Sequence, residues 1–251
     1  MEARTCLVTG AGRGIGRAVA RRLSEQGHRV ALTARSVDQL TEVAGELPGP
    51  PLVVAADLTS ADGVERVFHT VEQQWGPVEV LVASAGAGTS APLMHTTDEE
   101  WQRMLELNLT APFRCLRRAV PGMVDRGWGR IVVVASVAAK RGERYVSAYT
   151  ASKHGVLGLV RATASELARS GVTANAVCPG YVDTPMTKGT VATISERTGR
   201  SEEEAMQVLQ AAQPIGRLVT PEEVADAVSF CLSNPAVTGQ GINVDGGAVQ
   251  S

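Results

Sequence analysis

The sequence predicts an α/β fold, a doubly wound parallel sheet with helices on both faces, on three observations. Short apolar runs recur along the chain, stretches of helical spacing separate most of them, and a glycine-rich turn follows the first run. Runs that are apolar throughout belong to strands buried on both faces, and strand-helix-strand succession implies parallel pairing through right-handed crossovers.

In chain order the runs are Cys6 to Thr9, Val30 to Thr33, Leu52 to Ala56, Val78 to Ala83, Ile131 to Ala135, Val172 to Cys178, and Ile242 to Val244. The first stretch between runs places Ile15, Val19 and Leu23 on one face at four-residue intervals and stops at Gly27. Later helices are announced by side chains able to accept bonds from first-turn amides: Ser36 with Gln39, Thr97 with Glu100, Ser201 with Glu204, and Thr220 with Glu223. Pro221 suits a first helical position. No linker, low-complexity tract or repeat divides residues 1–251, which read as one domain. Thr184 to Gln213 breaks the rhythm, with no strand-like run, many polar residues and an amphipathic Ser201 to Gln213. Either a surface excursion or a small helical substrate lid over 184–213 fits, and the lid is favoured.

Composition narrows the function. Twenty-four Lys and Arg against 26 Asp and Glu leave a formal charge of −2, so no cationic excess exists to neutralise nucleic-acid phosphates. No apolar run approaches the roughly 18 residues of a membrane span. Cys6, Cys115, Cys178 and Cys231 lack the short spacings of a zinc site or a secreted disulfide framework, so no metal site is expected. They read as buried apolar residues in a reducing compartment. The opening residues enter the first run without the basic and apolar regions of a secretory leader, and a soluble, cytoplasmic protein is the expectation.

In Thr9-Gly10-Ala11-Gly12-Arg13-Gly14-Ile15-Gly16, glycines at every second position allow a sharp turn and close approach to a ligand. The helix that follows offers free N–H groups and a positive dipole end, both suited to a pyrophosphate. The spacing is Gly-x-x-x-Gly-x-Gly, not Gly-x-Gly-x-x-Gly, and a plain tight turn is the alternative. The second run leads into Thr33-Ala34-Arg35-Ser36, without the carboxylate that would bind both ribose hydroxyls of NAD. Arg35 and Arg13 suit a 2′-phosphate instead, so NADPH is favoured over NADH, the alternative being two solvated arginines.

Tyr149 and Lys153 stand one helical turn apart on one face. An ammonium beside a phenol is expected to lower the phenol's pKa and make it a usable proton donor at a carbonyl oxygen. Ser136 follows the run Ile131 to Ala135, at the strand edge where open parallel sheets bind ligands. By itself Ser136 is a turn residue, but its position between the glycine turn and the Tyr149/Lys153 pair argues for a site.

These motifs together resemble the short-chain dehydrogenase/reductase family, of the Rossmann type, along essentially the whole chain. Thr9 to Gly16 resembles its cofactor turn, Asp57-Leu58 its adenine contact, and Asn108, Ser136, Tyr149 and Lys153 its catalytic tetrad. Pro179-Gly180-Tyr181-Val182-Asp183-Thr184 resembles the nicotinamide segment. Ala83-Ser84-Ala85-Gly86 stands where the family usually has Asn-Asn-Ala-Gly, which implies that Ala85 and Gly86 face the cofactor and that the central strand is braced differently. Asp57 also reads as an acid leading a helix.

The resemblance implies reversible ketone/alcohol interconversion: Tyr149 as proton donor, Ser136 on the substrate oxygen, Lys153 on the ribose, and Asn108 holding a water that replenishes the proton. It further implies a homotetramer or sometimes a dimer. Asn175 to Gly180, Lys153 to Val156 and Pro214 to Arg217 resemble ketoreductases acting on β-ketoacyl thioesters, including those of type II polyketide pathways, with a substrate carried on acyl carrier protein or CoA. Ala87-Gly88-Thr89-Ser90 departs from the Pro-Gly-Gly of many aromatic-polyketide enzymes. Arg114, Arg117, Arg118, Arg126 and Arg130 are candidates for a patch meeting an acidic carrier, or for a solvated or oligomeric face. The competing readings are an NAD-dependent dehydrogenase of a hydroxyacyl-CoA, hydroxy acid or cyclic alcohol, and a non-catalytic dinucleotide sensor.

Overall fold

The structure, a computed structural model, describes residues 2–250. Its strands are β1 (Thr5–Thr9), β2 (Arg29–Ala34), β3 (Leu52–Ala55), β4 (Val80–Ala83), β5 (Gly129–Val134), β6 (Val172–Pro179) and β7 (Gly241–Val244). They form one parallel sheet of seven strands in the order β3-β2-β1-β4-β5-β6-β7. The helices are α1 (Gly14–Glu25), α2 (Val37–Ala44), α3 (Ala61–Trp75), α4 (Asp98–Leu105), α5 (Ala111–Arg126), α6 (Ser147–Glu166), α7 (Pro185–Thr198), α8 (Glu202–Ala211) and α9 (Pro221–Ser233).

Two buried cores explain why the strands are apolar throughout. Cys6 and Val8 of β1 pack with Val19 and Leu23 of α1, Leu40 of α2 and Val228 of α9, whereas Leu7 between them packs with Phe68 of α3, Leu116 of α5 and Val156 of α6. Side chains alternate across the pleat, so a sheet covered on both faces needs apolar residues at every position. Among the described residues, no helix is long and apolar enough to cross a membrane.

The cap signals correspond to real helix starts. Ser36, Thr97, Ser201 and Thr220 each accept a hydrogen bond from the amide three residues on, and the last two form complete capping boxes. Two elements were not anticipated. Helix α7 begins on Thr184 with Pro185 at its first position, a start signal overlooked because the helix buries only Thr187 and Val191 and so shows no apolar stripe. Residues Glu106–Thr110 form a π-helical turn between α4 and α5, a geometry with no side-chain signature. The stretch expected to be helical over Ser201 to Gln213 is α8, which ends at Ala211. Helices α7 and α8 share a small core of Val191, Ala205 and Leu209 with Tyr181, Met206 and Leu218 packed on it, separate from the two sheet cores.

Candidate active site

Strand order reverses between β1 and β4, and the cleft opens there at the C-terminal ends of the strands. It is lined by Arg13, Gly14, Ile15 and Gly16 of the glycine turn, by Ser84, Gly86, Ala87 and Ser136, by Tyr149 and Lys153 from α6, and by Pro179, Gly180, Val182 and Thr184. Residues from Arg13 to Thr184 are thus gathered at one edge of the sheet.

The turn after β1 and the turn after β4 are pressed together. The Thr9 hydroxyl accepts from the amides of Ser84 and Ala85, each at 3.1 Å, so the brace of the central strand comes from β1. Gly10 has φ of 65°, and a Cβ on it would lie 2.8 Å from the backbone of Ala85. No other residue type fits both constraints without shifting the turn. Arg13 is the N-cap residue of α1 and supplies no side-chain acceptor to the first-turn amides. A glycine-lined approach to amides that no side chain caps is a donor set suited to a pyrophosphate, and the residues present fit a dinucleotide.

The cleft does not enclose the expected adenosine contacts. Gly12 is buried against Gln39, while Arg35 and Asp57 are exposed at the ends of β2 and β3. Ser36 uses its hydroxyl oxygen to cap α2, and the Leu58 side chain belongs to the core with Phe68. The Asp57 carboxylate accepts from the amide and hydroxyl of Thr59, at 3.0 and 2.8 Å, and these bonds hold it below the ordinary carboxylate range, with Arg35 adding to the effect. Both sequence readings of Asp57 therefore stay physically open, since its second oxygen is not engaged by those bonds.

Asn108 sits in the π-helical turn, 1% exposed. Its Oδ1 accepts from the amide of Ala87 at 3.1 Å, and its Nδ2 donates to the Ala87 carbonyl at 3.0 Å and to the Ser152 hydroxyl at 3.2 Å. Ser152, fully buried, donates in turn to the carbonyl of Tyr149 at 2.7 Å. This chain ties the loop after β4 to the turn of α6 that carries Tyr149. Ser152 carries no sequence signal because the partner that gives it this role, Asn108, lies 44 positions away.

Lys153 is 5% exposed; its Nζ donates to the Val134 carbonyl at 3.0 Å and lies 5.6 Å from the centre of the Tyr149 ring. Burial pulls the ammonium pKa down to about 8, with Cys178 acting weakly the other way. The expectation that Lys153 depresses the Tyr149 phenol is corrected: burial pushes the phenol above its ordinary value, opposed by a hydrogen bond from Ser136, while Glu143 pushes it further up. Desolvation of a phenolate inside the protein outweighs the attraction of a cation that faces β5. A phenol held in its acid form is a proton donor, which is the form a carbonyl reduction requires.

The five candidate arginines divide by their surroundings. Arg114 is bound to Glu106 and to the Thr59 carbonyl, and Arg118 is paired with Glu65 and Glu72. Arg126 lies near Glu79, and Arg130 is buried on the carbonyls of Gly129, Gly171 and Leu232 at the N-terminal end of β5, the opposite sheet edge from the cleft. Arg117, over the ring of Phe113, and Arg126 remain exposed.

A doubly wound parallel sheet whose switch-point cleft brings a glycine turn over a serine, a phenol and a buried ammonium defines an NAD(P)-dependent oxidoreductase. The chain belongs to the short-chain dehydrogenase/reductase family: residues 10–249 match the family adh_short_C2, described as enoyl-(acyl carrier protein) reductase. It is 41% identical over 246 residues to the 3-oxoacyl-acyl-carrier-protein reductase MabA of Mycobacterium tuberculosis (strain ATCC 25618 / H37Rv), covering 97% of this chain and 92% of the relative. It is 34% identical over 252 residues to the D-beta-hydroxybutyrate dehydrogenase of Rhizobium meliloti (strain 1021), covering 97% and 98%. Among solved structures, a variant of actinorhodin polyketide ketoreductase with NADPH superposes with a TM-score of 0.95 at 40% identity, covering 98% of this chain and 97% of that one.

Proposed function

We propose that this protein is an NADPH-dependent ketoreductase acting on a β-ketoacyl thioester. The observation that carries the reading is that Ser136 and Tyr149 line one cleft together with the buried Lys153. The names of MabA and of the NADPH-bound polyketide ketoreductase support the substrate class and the cofactor.

The amides of Gly14 to Gly16 would hold the pyrophosphate, Arg13 and Arg35 the 2′-phosphate, and the Pro179 to Thr184 segment the nicotinamide, which when bound would supply the hydride. Ser136 accepts from the Ala138 amide at 3.1 Å, which leaves its own proton to donate toward a carbonyl oxygen. Tyr149 gives its phenolic proton to that oxygen as negative charge develops there. Lys153 uses one donor on Val134, leaving two for a ribose and for stabilising the phenolate as it forms. Asn108 holds the loop after β4 at the height the substrate meets. Helices α7 and α8 act as the lid: Arg197 of α7 donates to the Ser90 carbonyl at 2.9 Å, bridging to that same loop.

The protein is also proposed to self-associate, a homotetramer being the family expectation. Trp101 of α4 and Phe113 and Val124 of α5 stay 40–41% exposed, an apolar cost that packing against a second copy removes. A carrier domain is the proposed bearer of the thioester, with CoA as the simpler donor.

The hydroxybutyrate dehydrogenase relative favours a second reading, NAD-dependent oxidation of a hydroxy acid. One panel separates the two: NADPH and NADH consumption with a β-ketoacyl thioester, against NAD reduction with 3-hydroxybutyrate. The proposal expects thioester-dependent consumption with NADPH preferred, and turnover confined to NAD with the hydroxy acid would replace it.

A further inference from the structure

Gln213 is 1% exposed, an unusual place for a primary amide, and all of its hydrogen-bonding capacity is directed at the backbone. Its Oε1 accepts from the Tyr181 amide at 2.9 Å, and its Nε2 donates to the carbonyls of Tyr181 at 3.1 Å and Arg217 at 2.7 Å. It follows α8 directly, so one side chain joins the end of the lid to the first residue after Gly180, and both to the strand-like bridge between Val182 and Val219.

The fit is close enough to dictate its neighbour. A Cβ on Gly180 would lie 2.2 Å from the Gln213 Oε1, so Gly180 is a glycine to admit the amide. Gly180 and Val182 line the cleft together with Tyr149 and Lys153. The backbone here offers one donor and two acceptors at a single point, and only a neutral amide of this length answers both. A carboxylate would face two carbonyl oxygens, and an apolar side chain would take this partner from the Tyr181 amide and the Arg217 carbonyl, the Tyr181 carbonyl keeping its bond from the Val219 amide.

We propose that Gln213 is a positioning residue: it holds the Gly180 to Val182 backbone at the height required by the nicotinamide half of the cofactor and makes that height depend on the lid. The proposal rests on the NADPH reading given above. Gln213 touches no reacting atom, so its effect is confined to one end of the dinucleotide. The adenosine end, at Arg13 and Arg35, is supported by α1 and β2, which make none of these bonds.

The test measures binding by the full-length protein, by calorimetry, of NADPH and of adenosine 2′,5′-bisphosphate, which lacks the nicotinamide. Gln213→Met removes all three bonds at nearly constant volume, and Gln213→Glu, which keeps only the acceptor, serves if the first variant does not fold. The expected result is that NADPH binding weakens about tenfold or more while the bisphosphate changes less than about twofold. Equal weakening of both ligands, or no change in either, would overturn the positioning role and leave the cofactor reading intact. A wild-type protein that binds neither ligand would overturn the cofactor reading and this proposal with it.

Discussion

Asn108 and Ala87 pair as two strands pair, with the side-chain amide of one exchanging both hydrogen bonds with the backbone of the other, at 3.1 and 3.0 Å. The loop after β4 therefore has its height set by a residue in a π-helical turn, and through Ser152 by the helix that carries Tyr149. Removing the amide leaves the Ala87 N–H and carbonyl without their partner. Asn108→Ala is expected to lower stability by about 1–3 kcal/mol and to reduce kcat more than the NADPH affinity. Denaturant unfolding and ligand titration on the same preparation check both, and unchanged kcat would remove the loop from the mechanism.

Tyr149→Phe keeps the ring and its packing but deletes the proton. Turnover of a β-ketoacyl thioester is expected to fall about 10²–10⁴-fold, the usual worth of a positioned acid, while NADPH binds nearly as before. Stopped-flow measurement of NADPH oxidation reads this directly, and undiminished turnover would refute the donor role.

Arg35 stands exposed after β2, where its gain from a 2′-phosphate is set against water. Arg35→Ala is expected to weaken NADPH about tenfold, some 1.4 kcal/mol, and to leave NADH nearly unchanged. Equal losses for the two cofactors would make the arginine a structural residue only.

The pH dependence follows from Lys153 and Tyr149. Burial lowers the Lys153 ammonium to about 8 and raises the phenol. Reduction, which uses the ammonium and the protonated phenol, should therefore be flat through neutrality and decline as pH rises through about 8. Stability has the opposite sign for this lysine. Its folded-state pKa lies below its unfolded value of about 10.5, so the unfolded chain binds the extra proton between about pH 8 and 10.5, and the unfolding free energy gains with pH in that window. Comparing wild type with Lys153→Met across the window checks this, and a difference independent of pH would contradict it.

Much of the site could be read without coordinates because its residues sit in local patterns. Gly10 to Gly16 are consecutive, Tyr149 and Lys153 are one turn apart, and Ser136 ends an apolar run, so each is announced by its neighbours. The pair Thr184-Pro185 carried an equally local signal for α7, but the missing apolar stripe hid it. Gln213 and Ser152 carried none: one is a polar residue after an amphipathic helix, the other a serine in a helix, and their distant partners are the Tyr181 backbone 32 positions away and the Asn108 side-chain amide 44 positions away. Among the arginines of α5 the sequence left two readings open, and folding spends Arg114 on Glu106 and Arg118 on Glu65 and Glu72, acids whose proximity no local pattern announces.

By itself the chain of residues determined the sheet, its two covered faces, the cap positions and the chemistry available at one strand edge. These follow from periodicity and residue type, which act over a few residues. Tertiary structure alone decided which loops touch, where Asn108 and Gln213 spend their amides, and which way the phenol's pKa moves. Those outcomes depend on burial and on hydrogen bonds between distant segments, and neither quantity exists until the chain has closed on itself.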